Sequence, residues 1–135
     1  MTKRISSISG LLIISLTFVC ALCDRTSDLE YVIYNYADSD VEIIFYGLET
    51  NAFDPNDSVK TLSKGEELKV YHEEQLGTIQ RSLTGTTYFC DSIRVKNIVR
   101  QIVAQKNYTY LKEWNFLKTT DYDGAYILTI DNTDF

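Results

Sequence analysis

Histidine, proline, methionine and tryptophan each occur once in these 135 residues, and cysteine three times. A lone His72 excludes a histidine-rich metal centre. A Ser–His–acid arrangement has no support either, because no Gly-x-Ser-x-Gly turn or comparable signature accompanies that histidine. The six glycines form no phosphate-cradling loop. Cations are scarce: 13 Lys and Arg against 19 Asp and Glu give a net charge of −6. Such a surface repels phosphate backbones, so no nucleic-acid partner is expected. Catalytic, metal and cofactor groups are therefore all expected to be none, and the chain reads as no enzyme.

What is present begins with a leader. Met1 to Arg4 carries two cations, Ile5 to Leu22 is uncharged and apolar with small residues interspersed, and Asp24-Arg25-Thr26-Ser27-Asp28 ends it abruptly. A basic start, a short apolar stretch and a polar stop predict a secretory signal over residues 1–22. An uncleaved membrane anchor is the competing reading, at the lower edge of a bilayer span. Residues 23–135 are then long enough for a single domain with its own core. Lys3 and Arg4 leave with the leader, so this domain holds 11 basic and 19 acidic residues, a net charge of −8. Residues 90–118 gather Arg94, Lys96, Arg100, Lys106, Lys112 and Lys118, which read as a solvated strand face rather than a docking patch.

The cysteines are Cys20, Cys23 and Cys90. Cys20 and Cys23 stand where a lipoprotein signal places the cysteine that is acylated, although Val19 and Leu22 precede them instead of a small residue. Alternatively the signal is cleaved after Val19-Cys20-Ala21, leaving Cys23 and Cys90 to pair as a disulfide in an oxidising compartment. That bond would close a long loop and stabilise the fold by roughly 4 kcal/mol in the chain-entropy model.

The domain is dense in β-formers. Leu29 to Tyr36 reads as a strand apolar on both faces, Ala37 to Asp40 as a turn and Val41 to Gly47 as a returning strand, which together predict a hairpin. Asn51 to Ser58 is a turn-rich loop. Ser58 to Leu62 and Glu66 to His72 read as short strands around Lys64-Gly65. For the second of these, a helix opened by a Ser63/Glu66 capping box is the alternative. Alternation over Thr86 to Val95 sets Phe89, Ile93 and Val95 on one face and Cys90 on the other. Residues 96–105 fit either a helix or, preferred, a hairpin turning near Asn97. Asp121 to Gly124 is a turn, and Tyr126, Leu128 and Ile130 line a final strand. The expected fold class is all-β, mainly antiparallel: a small immunoglobulin-like β-sandwich with at most one short helix.

Polar candidates read mostly as surface. His72 lies beside Glu73 and Glu74 on a polar stretch. Paired acids such as Asp121/Asp123 or Glu73/Glu74 could serve glycoside hydrolysis, which needs two carboxylates across a cleft, but carboxylates adjacent in a turn more often solvate it. Asp121-x-Asp123-Gly124 opens like a calcium loop, but the later ligands are missing. Asn56-Asp57-Ser58 and Asn107-Tyr108-Thr109 match the N-glycosylation pattern, which matters only in a eukaryotic secretory protein. The tyrosines offer a binding feature: Tyr31, Tyr34, Tyr36 and Tyr46 on neighbouring strands would form an exposed aromatic row for a glycan or protein partner, with core packing the simpler use of the same residues.

The order of elements is itself informative. A cysteine closing a short signal precedes Tyr31-x-Ile33-x-Asn35 and Val41-x-Ile43-x-Phe45-Tyr46. Tyr88-x-Cys90-Asp91-Ser92-Ile93-Arg94-Val95 and a closing Tyr126-x-Leu128-x-Ile130 follow. This resembles the small uncharacterised cell-envelope lipoproteins of Bacteroidetes-type bacteria. The resemblance implies a β-sandwich lipidated at Cys23, with Cys20 the alternative, and anchored through that lipid in the bacterial cell envelope, on the outer membrane's periplasmic or surface face. It implies a non-enzymatic binding or structural module with an unknown protein or glycan partner. The alternative is a soluble secreted domain closed by Cys23–Cys90 and acting as an inhibitor-like binder, and less favoured still is a small hydrolase.

Overall fold

A computed structural model describes residues 25–49, 58–82 and 84–135. The signal segment, Cys20, Cys23 and most of the loop at 51–58 lie outside the described residues. Seven strands form: β1 (Thr26–Asn35), β2 (Val41–Tyr46), β3 (Val59–Leu62), β4 (Glu67–Leu76), β5 (Ser92–Asn97), β6 (Asn115–Lys118) and β7 (Asp123–Ile130). Two three-residue 3-10 turns, Leu111–Glu113 and Asn132–Asp134, are the helical content among the described residues. Four strands make one sheet in the order β4-β1-β7-β6, and three make the other in the order β3-β2-β5. The all-β sandwich expected from the sequence is therefore the architecture, and every ladder is antiparallel except the central β1–β7 pair.

Period-two alternation explains which faces meet. Leu29, Tyr31 and Ile33 of β1 point inward beside Tyr126, Leu128 and Ile130 of β7. Val41, Ile43 and Phe45 of β2 with Ile93 and Val95 of β5 supply the opposing face. Tyr31 is the hub, with no exposed surface. Its ring stacks on Tyr126 at 5.2 Å between centroids and meets Phe89 and Trp114 edge-on. Trp114 is buried too, and its indole N–H donates to the Tyr108 carbonyl at 2.8 Å, so its one polar atom is satisfied.

The predicted β1–β2 hairpin does not form. The two strands belong to opposite sheets: β1 takes a central place between β4 and β7 with Asp28 and Glu30 on its outer face, and β2 pairs with β3 and β5. Asn35 makes the crossing. Its buried side-chain amide donates to the carbonyls of Ser39 and Leu62, each at 3.0 Å, and its oxygen accepts from the Ala37 N–H at 3.0 Å. The same exchange recurs between β3 and β4 around Gly65, which has φ +80°. Here the Glu66 carboxylate accepts from the Ser63 N–H at 3.1 Å, half of a capping box, yet the chain continues as a strand and not as a helix.

Cys90 is also corrected: it is buried in the core, 4% exposed, not on the outer face. The alternation assumed an extended chain from Thr86, but residues 88–91 bend and the strand starts only at Ser92. Residues 96–105 adopt the preferred hairpin form in its shortest version. Lys96 bridges Val103, and the Asn97 N–H donates to the Ile102 carbonyl at 2.8 Å. The cations of residues 90–118 are dispersed, with Arg100, Lys106 and Lys118 paired to Asp38, Asp134 and Asp121.

Candidate functional site: an acidic cleft on the four-stranded sheet

The outward positions of β1 are Asp28 and Glu30. Antiparallel register with β4 sets Asp28 opposite Glu74 and Glu30 opposite His72. Parallel register with β7 sets Asp28 opposite Asp123 and Glu30 opposite Ala125. Three carboxylates, Glu74, Asp28 and Asp123, thus lie at one level across three adjacent strands. Like charges directly opposite on a sheet repel. Beside them Ala125 offers only a methyl, so the surface dips into an open cleft of about 360 Å³, lined also by Thr119 and Gly124.

Each charge in the cleft has a distinct environment. Lys69 donates to Glu30 at 2.9 Å, and this contact raises the lysine's pKa above its ordinary value. The Thr120 hydroxyl donates to Asp123 at 2.6 Å. His72 Nε2 stands 3.3 Å from Asp28 Oδ1. One ligand atom from each of Asp28, His72 and Glu74 falls within 4.8 Å of the others, all on exposed side chains.

The acid pairs singled out from the sequence separate. Glu73 turns to the face opposite Glu74, where it accepts from the Tyr88 hydroxyl at 2.5 Å; Tyr88 in turn accepts from Tyr31 at 3.2 Å. Burial, followed by the Glu73 contact, pushes the Tyr88 pKa up to about 12. Asp121 pairs with Lys118 at 2.7 Å, which holds its carboxyl below the usual aspartate range. His72 is the surface residue expected, but its nearest carboxylate comes from β1 and not from its own strand.

The aromatic row is not assembled. Tyr31 is in the core, and Tyr46 sits on β2 in the other sheet. Only Tyr34 and the 66%-exposed Tyr36 meet, with centroids 4.5 Å apart. Of the proposed disulfide, Cys90 is buried with no cysteine partner among the described residues, its Sγ 3.8 Å from Thr87 Oγ1, and burial pushes its pKa up to about 11. Cys23 lies outside the described residues.

The sequence reading placed Glu74 beside His72 but missed Asp28 and Glu30, which the β1–β4 register brings to it. The alternations Asp28-x-Glu30 and His72-x-Glu74 were the available signal, but only strand pairing brings the two together. Fold and site together define a two-sheet all-β sandwich with a carboxylate-rich cleft on one sheet. No family model, curated protein or solved structure matches the chain.

Proposed function

We propose that this chain is a non-enzymatic lipoprotein of the bacterial cell envelope, acting as a binding or structural module at the periplasmic or surface face of the outer membrane. In this reading Cys23, or alternatively Cys20, carries the lipid that holds the domain to the membrane. The observation that carries it is how the reactive and aromatic groups are deployed. Cys90, Tyr31, Tyr108, Tyr126 and Trp114 are interior packing, while the acidic cleft is open to solvent. A surface of that kind suits adsorption of a protein or glycan partner better than enclosed chemistry, which needs water kept from the reacting atoms. The basic-apolar-polar leader supplies the export route. With β1 starting at Thr26, a lipid on Cys23 would be followed by only Asp24 and Arg25 before the first strand, so the sandwich would stand close to the bilayer.

The test is the intact mass of the protein from its bacterial envelope, with and without reductant. A fragment starting at Cys23 or Cys20 and heavier by acyl chains supports the reading and names the cysteine. An unmodified fragment starting at Leu22 that gains two hydrogens on reduction would refute it in favour of the disulfide-closed secreted domain.

A further inference from the structure

We propose that Asp28, His72 and Glu74 form a binding site for one divalent transition metal ion, with zinc the best chemical match. One imidazole with two carboxylates is a donor set zinc accepts, and three protein ligands leave a fourth position for water or an incoming anionic group. Zinc bonds to nitrogen and oxygen are about 2.0 Å long, so tetrahedral geometry sets two ligand atoms about 3.3 Å apart. His72 Nε2 and Asp28 Oδ1 already stand 3.3 Å apart. Glu74 completes the set from within the 4.8 Å group, on an exposed side chain.

The strand arrangement favours this ion independently of that spacing. Asp28 faces Glu74 on one side and Asp123 on the other, two like-charge neighbours in one row. Of the nearby counter-charges, Lys69 is engaged by Glu30, and the Thr120 hydroxyl on Asp123 is uncharged. A dication between β1 and β4 relieves that repulsion and ties β4 to the centre of the sheet. The imidazole decides the kind of ion. Hard cations such as calcium take oxygen ligands, whereas zinc, nickel and copper take nitrogen. The site is independent of whether the N-terminus is acylated.

His72 is the only histidine in the chain, so one imidazole resonance reports the site without ambiguity. The experiment titrates the tag-free intact protein with zinc chloride, following the His72 ring nitrogens by NMR and heat release by calorimetry. The expected result is one zinc per chain with a shift localised to Nε2. His72→Ala and Asp28→Asn, exposed substitutions that leave the circular dichroism unchanged, should each weaken binding about tenfold or more, at least the loss typical of removing a supporting contact. Glu42→Gln, a carboxylate on the other sheet, should change nothing. An imidazole that does not shift at saturating zinc overturns the proposal, as does zinc binding that survives His72→Ala. Equal competition by calcium overturns it too, since that marks a carboxylate surface without a nitrogen ligand.

Discussion

Replacing Asn35 with alanine tests the joint between the two sheets. The native side chain makes three hydrogen bonds of 3.0 Å, to the Ser39 carbonyl, the Leu62 carbonyl and the Ala37 N–H, and the residue is wholly buried. A net contribution of about 1 kcal/mol each, plus a further cost for leaving the buried Leu62 carbonyl without that donor, gives a loss of roughly 3 to 4 kcal/mol. That is a large part of the ~5–15 kcal/mol stability of an ordinary domain. With a urea m-value of about 1.5 kcal/mol/M, the unfolding midpoint should fall by about 2 M, followed by Trp114 fluorescence, at unchanged m. Asn35→Asp should be at least as damaging at neutral pH, since it keeps the acceptor for Ala37 but turns a carboxylate toward two carbonyls. Its deficit should shrink as pH falls towards about 4 and stay flat below that, because burial against two carbonyls raises the folded carboxyl above the unfolded value of about 3.9. A midpoint shift under about 0.5 M for Asn35→Ala would show that the crossing is held by strand pairing alone and that the reasoning is wrong.

Three further outcomes follow from the core. With its thiol raised to about 11 by burial, Cys90 should resist maleimide at pH 8 in the folded protein and react fully in urea; a protein with no titratable thiol in urea would refute this. Above the unfolded thiol value near 8.5, the unfolded state binds fewer protons at this site, so stability should fall with rising pH up to about 11. The stability difference between wild type and Cys90→Ala should change over that window by up to about 1.4 kcal/mol per pH unit and be flat below it. Trp114→Phe removes the 2.8 Å bond to the Tyr108 carbonyl and part of the edge-on packing against Tyr31 and Phe89. It should cost about 2–3 kcal/mol in chemical denaturation, and a loss below about 1 kcal/mol would contradict the packing described.

Strand positions were legible in the sequence because alternation is local: Val41/Ile43/Phe45 and Tyr126/Leu128/Ile130 each mark a strand and its inner face. Pairing was not legible. A short polar segment such as Ala37–Asp40 looks the same whether it returns the chain to its own sheet or carries it to the other. What decides is the Asn35 clamp, whose acceptor on Leu62 is remote in sequence, together with the central place of β1 between β4 and β7. The cleft was hidden for the same reason. Asp28 and His72 are unremarkable singly, and they become neighbours only through the β1–β4 register. Cys90 was misplaced because the bends at residues 88–91 interrupt a pattern that reads as continuous strand.

The parallel pairing of β1 with β7 has a consequence for how the molecule comes into being. β1 occupies residues 26–35 at the centre of its sheet, and its neighbour on one side spans residues 123–130. A chain delivered from its N-terminus presents Tyr31, Val32 and Ile33 long before that neighbour exists, and β1's other partner, β4, covers only one edge. Such non-local pairing folds slowly and leaves strand edges exposed meanwhile. The β1–β7 ladder therefore cannot form until residues 123–130 are free to dock. Deleting β7 should leave no partly stable remnant, only an aggregation-prone chain.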